Sequence, residues 1–210
     1  MRLIDVSRVL HSDAPHWPGD TPTDFRLTAR MAEGSSCNVG ALALSVHNGT
    51  HVDAPFHYDE HGATIDAVSL ERFVGPARVI DARGQPTLGE SLFARISRTE
   101  LTATPRILFR TDVWLEPAKF PANWPRWDPA LPAWLGRNGV TLVGVDFPSV
   151  DELTSQDLPV HHALKAAGIL ILENLLLRDA EPGVYELLAL PLKIRGGDAS
   201  PVRAVLRTSG

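Results

Sequence analysis

The segment His47-Asn48-Gly49-Thr50-His51-Val52-Asp53-Ala54-Pro55-Phe56-His57 constrains this chain more than any other stretch. His47, His51, Asp53 and His57 all fall at odd positions, and in an extended chain odd positions share one side. Gly49 and Pro55 interrupt a regular strand, and Pro55 also argues against a helix. The spacing therefore predicts a strand over 39–46 that ends in a twisted loop, with three imidazoles and one carboxylate presented to a common volume. Neutral imidazole and carboxylate are ordinary ligands of zinc and similar divalent ions. His47, His51 and Asp53 are candidate ligands, and a histidine close by but not ligating is a candidate for moving protons. The plainer reading is that loop histidines usually serve at the surface or in hydrogen bonds. His61, followed by Gly62, is expected in a solvated turn, and His11 at the surface.

One segment seldom closes a site. His161-His162 opens a predicted helix, and Glu173 directly follows the apolar run Ile169-Leu170-Ile171-Leu172. A carboxylate there is either a simple strand-end charge or, together with Asp53, a bridge between two metals. Spacing alone leaves His161 and His162 both open as a ligand.

Short, apolar, mostly β-branched runs over 2–9, 25–31, 39–46, 77–81, 107–110, 140–145, 169–172, 185–190 and 202–207 read as strands. The stretches 88–95, 129–137 and 158–167 read as helices, the last stopped by Gly168. This balance predicts an α/β fold with a large, barrel-like mixed sheet packed by a few helices. A chain of 210 residues with no linker-like break is expected to form one domain over 1–210. The stretch 116–132, rich in proline and carrying Trp124 and Trp127, reads as a rigid surface excursion.

Composition excludes several classes. A net charge of -5 argues against a nucleic-acid partner. No apolar run is long enough for a transmembrane helix, so no membrane partner is expected. The start, with Asp5 and no long apolar stretch, is unlike a signal peptide. Cys37 stands alone, so neither an internal disulfide nor a thiolate metal cluster is expected, which suits a reducing cytoplasm. No Gly-x-Ser-x-Gly occurs, and Ser149 between Pro148 and Val150 makes a poor nucleophile elbow.

The segment His47–His57 matches every defined position of His-x-Gly-Thr-His-x-Asp-x-Pro-x-His, and in this the chain resembles the cyclase-like metal hydrolases. Further stretches resemble the branch of bacterial kynurenine formamidases (arylformamidases). They are His16-Trp17-Pro18-Gly19-Asp20, residues 145–151, His161-His162-Ala163, Ile171-Leu172-Glu173, residues 185–193 and Ser200-Pro201-Val202-Arg203-Ala204. The resemblance implies a compact α/β fold of the swivelling β/β/α type, a homodimer and two zinc ions, with manganese or another divalent ion as the alternative. His47 and His51 would hold the first ion, His161 the second, and Asp53 and Glu173 both. His57 would carry protons and Trp17 would line the substrate pocket. His161 is preferred because the family places its ligand twelve residues before the glutamate. His162 would then be a supporting or packing residue.

The implied reaction is hydrolysis of N-formyl-L-kynurenine to L-kynurenine and formate in tryptophan degradation. Phe147 and Asn174 depart from the family pattern, which has Thr and Gly there, and so bear on substrate choice more than on metal binding. The rivals are a cyclic-amide hydrolase of the isatin type and a metal-binding module without catalysis. Against the second stands His57, a spare base beside the ligand set.

Overall fold

The computed structural model describes residues 1–208 except Pro117. Thirteen strands appear in chain order: β1 (Leu3–Asp5), β2 (Asp24–Ala29), β3 (Val39–Ala43), β4 (His51–Asp53), β5 (Val74–Asp81), β6 (Thr87–Leu88), β7 (Arg106–Arg110), β8 (Arg126–Trp127), β9 (Leu142–Val145), β10 (Leu170–Glu173), β11 (Gly183–Leu188), β12 (Ala199–Pro201) and β13 (Val205–Arg207). The helices are α1 (Arg98–Ala103), α2 (Leu131–Arg137) and α3 (Pro159–Ala166). Nine strands form one mixed sheet that curls into a half-barrel, in the order β1-β13-β11-β5-β7-β9-β10-β4-β12. The predicted α/β fold with a barrel-like sheet is what the chain adopts.

The parallel centre, β5 to β7 to β9 to β10, is built from runs such as Ile107-Leu108-Phe109 and Leu170-Ile171-Leu172. Strands buried on both faces read as continuous apolar runs rather than alternating ones. Their side chains divide by parity into two cores. Leu108, Leu142, Leu170 and Leu172 pack on one face with Val52 and Leu206. Ile107, Phe109, Val143 and Ile171 pack on the other with Leu135 of α2 and Leu164 of α3.

That parity positions the site. β4 pairs antiparallel with β10 so that Asp53 lies opposite Ile171 and His51 opposite Glu173. Cross-strand partners share a face. His51, Asp53 and Glu173 therefore stand on the Ile171 face, the side against which α3 packs.

Several elements differ from expectation. Residues 51–53, expected in an irregular loop, form a fully buried strand held between β10 and β12. The strand expected over 2–9 is confined to β1 (Leu3–Asp5), and that expected over 202–207 to β13 (Val205–Arg207), with β12 lying just before it. Residues 90–93 make a short 3-10 turn where a helix was expected. α1 was not anticipated, although Ser97 and Glu100 form a complete capping box. The 116–132 excursion, whose Pro117 lies outside the described residues, turns aromatic side chains inward. Trp127 is buried, and the Trp124 indole donates to the Asp151 carbonyl at 3.1 Å.

Candidate metal centre

Two carboxylates and three imidazoles meet where β4, β10 and α3 converge. Asp53 Oδ1 lies 3.2 Å from His47 Nδ1 and 3.4 Å from His51 Nε2, and Asp53 Oδ2 lies 3.6 Å from His161 Nε2. Glu173 repeats the pattern: Oε2 is 3.5 Å from His51 Nε2 and Oε1 is 3.8 Å from His161 Nε2. Each carboxylate thus faces histidines from both ends of the site. All of these residues except His47 are buried. His61 and His11 are exposed, as expected, and His162 is exposed on α3, edge-on to Tyr58, rather than packed beneath the site.

The far nitrogen of each ring is held. His51 Nδ1 sits 2.9 Å from the Gly49 carbonyl oxygen. His161 Nδ1 sits 2.6 Å from Asp151 Oδ2, and His47 Nε2 sits 2.9 Å from Asp198 Oδ2. Asp151 also accepts from the backbone nitrogens of Val160 and His161, so one carboxylate both caps α3 and orients its histidine. Such partners fix tautomer and ring direction in metal sites and raise ligand basicity.

His51 Nε2 and both Asp53 oxygens are buried with no hydrogen-bond partner. Orphaned buried polar atoms are costly and rare. The ligand atoms of His51, Asp53 and Glu173 lie within 4.8 Å of one another, as do those of His47, Asp53 and His57. A divalent cation satisfies such atoms, so this donor set fits a metal.

The electrostatics agree. Burial works against protonating the three imidazoles, but their carboxylate neighbours outweigh it. His47, beside Asp198 and Asp53, is carried up to about 9. His51, beside Asp53 and Glu173, reaches about 10, and so does His161, beside Asp151 and Asp53. Burial tends to raise Asp53, yet the imidazoles of His161, His47 and His51 hold it well below the usual carboxylate range. His57 goes the other way. Burial lowers it, and the positive neighbours His47 and His161 add to the effect.

These shifts favour imidazolium forms of His47, His51 and His161 as counter-charges to the buried carboxylates of the metal-free chain. A raised folded-state pKa stabilises fully below the unfolded value near 6.5, and that stability is lost as pH rises through 9 to 10. The melting temperature of metal-free protein is expected to fall between pH 7 and pH 10. Calorimetry at stepped pH checks this, and a flat profile would count against the imidazolium assignment.

A cavity of about 650 Å³ opens over the cluster. Trp17, Trp114, Phe120, Pro148 and Leu158 supply its apolar wall. Trp17 meets Phe120 edge-on at 6.1 Å and Trp124 at 6.3 Å, so the N-terminal loop and the proline-rich excursion form one aromatic roof. Trp17 is legible in the sequence as a site residue, whereas Trp114, Phe120, Asp151 and Asp198 are not. For Asp198 the only local signal is the Gly196-Gly197 turn before it.

The two departures have structural accounts. Phe147 is fully buried and stacks on Trp124 beneath the roof. Asn174 has φ +60°, left-handed backbone that glycine adopts freely and asparagine tolerates better than other side chains. Its Nδ2 donates to the Gly49 carbonyl at 2.9 Å, and its carbonyl accepts from Thr50 Oγ1 at 2.7 Å. Asn174→Ala is expected to cost about 1–2 kcal/mol in urea unfolding, with Asn174→Gly milder.

The Cyclase family model matches residues 4–152. A kynurenine formamidase of Geobacillus thermodenitrificans is 44% identical over 207 residues, covering 99% of this chain and 98% of the relative. Another, from Salinibacter ruber, is 46% identical over 215 residues at the same coverage. Among solved structures, a potential metal-dependent hydrolase with cyclase activity superposes with TM-score 0.80 at 27% identity, covering 98% of this chain and 96% of its own. Isatin hydrolase A of Ralstonia solanacearum gives TM-score 0.83 at 27% identity, with 98% and 91% covered. Kinship along nearly its full length, carried by the same segment that builds the carboxylate–imidazole cluster, makes this chain a member of the cyclase family of metal-dependent hydrolases.

Proposed function

We propose that the chain is an arylformamidase that converts N-formyl-L-kynurenine and water to L-kynurenine and formate. The observation that carries this reading is the cluster of orphaned buried donors beneath an aromatic-roofed cavity, in a chain 44–46% identical to full-length kynurenine formamidases. His47 and His51 would hold one divalent ion and His161 a second, with Asp53 and Glu173 shared. Zinc is the proposed metal, and manganese also suits imidazole with carboxylate. When bound, the ions acidify water, polarise the formyl carbonyl and offset the charge that grows on its oxygen.

The remaining work belongs to the chain's own residues. His57 is the most exposed member of the set, and its Nδ1 faces Asp198 at 3.6 Å rather than the shared carboxylates. Its lowered pKa keeps it neutral at pH 7, ready to accept a proton from the attacking water. It then returns that proton to the aniline nitrogen as the C–N bond breaks. Trp17, Trp114 and Phe120 would hold the aryl ring and exclude water around the small formyl group.

Ligation requires neutral imidazoles, so loading zinc at pH 7 is expected to release a proton from each of His47, His51 and His161. Titration calorimetry in two buffers of different ionisation enthalpy counts them. Release of no protons would contradict the imidazolium assignment of these three histidines in the metal-free chain.

A second reading, ring-opening of a cyclic amide, is favoured by the match to isatin hydrolase A. The formamidase relatives, at much higher identity, weigh against it. Side-by-side turnover of N-formyl-L-kynurenine and isatin separates the two, and the formamide is expected to win by at least about 100-fold in kcat/KM, roughly 3 kcal/mol of transition-state binding.

We place the protein in the cytoplasm as a homodimer. No described helix is long and apolar enough to cross a membrane, and the hairpin β2–β3 exposes Phe25, Val39 and Leu42, apolar surface suited to a second copy.

A further inference from the structure

We infer that Asp198 is a positioning residue that ties the ligand His47 to the proton carrier His57. The inference rests on the reading above, in which His47 binds a metal. One oxygen, Asp198 Oδ2, lies 2.9 Å from His47 Nε2 and 3.6 Å from His57 Nδ1. The two rings lie against each other, with centroids 4.1 Å apart. Asp198 is the only acidic side chain in ion-pair contact with His57 among the described residues.

Two consequences follow from this placement. The Asp198 carboxylate holds His47 Nε2 at 2.9 Å, which leaves Nδ1, 3.2 Å from Asp53 Oδ1, as the atom that would ligate an ion shared with Asp53. The other ligand histidines have the same arrangement, His161 with Asp151 and His51 with the Gly49 carbonyl. Asp198 completes that set. The second consequence concerns His57. When its ring holds a proton, the nearest anion is the one that already orients the ligand. A carboxylate behind a proton-carrying histidine fixes ring direction and stabilises the imidazolium.

The backbone holds Asp198 to this task. Its carbonyl accepts from Ala54 N at 2.9 Å, next to Asp53, and the adjoining β12 pairs with β4. Gly197 is closely packed, since a Cβ there would lie 3.0 Å from Ile65 Cγ2 and 3.1 Å from Ile194 Cγ2. Its carbonyl accepts from Ile65 N at 2.8 Å. The turn is packed from several sides, and its carboxylate is aimed by that packing.

The test uses the whole chain. Metal-free wild type, Asp198→Asn and Asp198→Glu are titrated with zinc against a chromophoric chelator, and each loaded protein is assayed on N-formyl-L-kynurenine. Asp198→Asn is expected to bind two ions at saturation, one of them about 10–100-fold more weakly. Its kcat is expected to fall while KM stays within about twofold. Asp198→Glu, which keeps the charge, recovers most of the affinity and secures the comparison if the asparagine variant folds poorly. A stoichiometry reduced to one ion would make Asp198 a ligand and overturn the inference. Unchanged affinity and kcat in Asp198→Asn would overturn it as well. Wild type that binds no zinc would overturn the metal reading itself, an outcome distinct from wild type and Asp198→Asn binding alike.

Discussion

Asp53→Asn is expected to reduce bound metal from two ions to fewer than one per chain and to bring hydrolysis to background. Asp53 is fully buried at the end of β4, and its two oxygens face three imidazoles between 3.2 and 3.6 Å away. No other carboxylate reaches both His47 and His161 among the described residues. The amide keeps the volume and removes the charge, so the loss reads electrostatics rather than packing. The metal-free variant should also be less stable at pH 7 by about 3–5 kcal/mol, because buried imidazolium ions lose their counter-charge. Elemental analysis and urea unfolding check the two halves separately. A variant that retains two ions would mean Glu173 alone can bridge the site.

His57→Ala should behave in the opposite sense: both ions stay, and kcat falls by about 10²–10⁴, the usual worth of a positioned acid–base group. The contrast is informative because His57 also lies within ligand range of His47 and Asp53. Loss of one ion in His57→Ala would make His57 a ligand and leave the proton-transfer role without a holder. Metal content and kcat measured on the same preparation decide between these outcomes.

Much of the site was legible because its logic is local. The odd spacing of His47, His51, Asp53 and His57 survives in the structure as side chains directed to one volume, even though residues 51–53 are a strand and not a loop. That strand escaped notice because three residues, one His and one Asp among them, carry no strand pattern. Pairing with β10 and β12 creates it. Glu173 stood out because a carboxylate ends a buried apolar run, and the register places it opposite His51. Asp151 and Asp198 were not legible in role. Each acts across a long sequence separation or through a helix cap, and neither lies in a periodic pattern. The 116–132 excursion does run over the surface, but the inward turn of its aromatic side chains is not legible in the sequence. Proline density marks irregular backbone, but Phe120 and Trp124 are oriented by partners distant in sequence, Trp17 for both and Asp151 and Phe147 for Trp124.

This cluster is expected to hydrolyse an aryl formamide only when it holds metal. Protein stripped by a chelator and dialysed, then assayed on N-formyl-L-kynurenine before and after zinc is restored, tests it most directly. Turnover is expected to be lost on stripping and to recover as zinc approaches two ions per chain. Full turnover in protein shown by elemental analysis to be metal-free would contradict it.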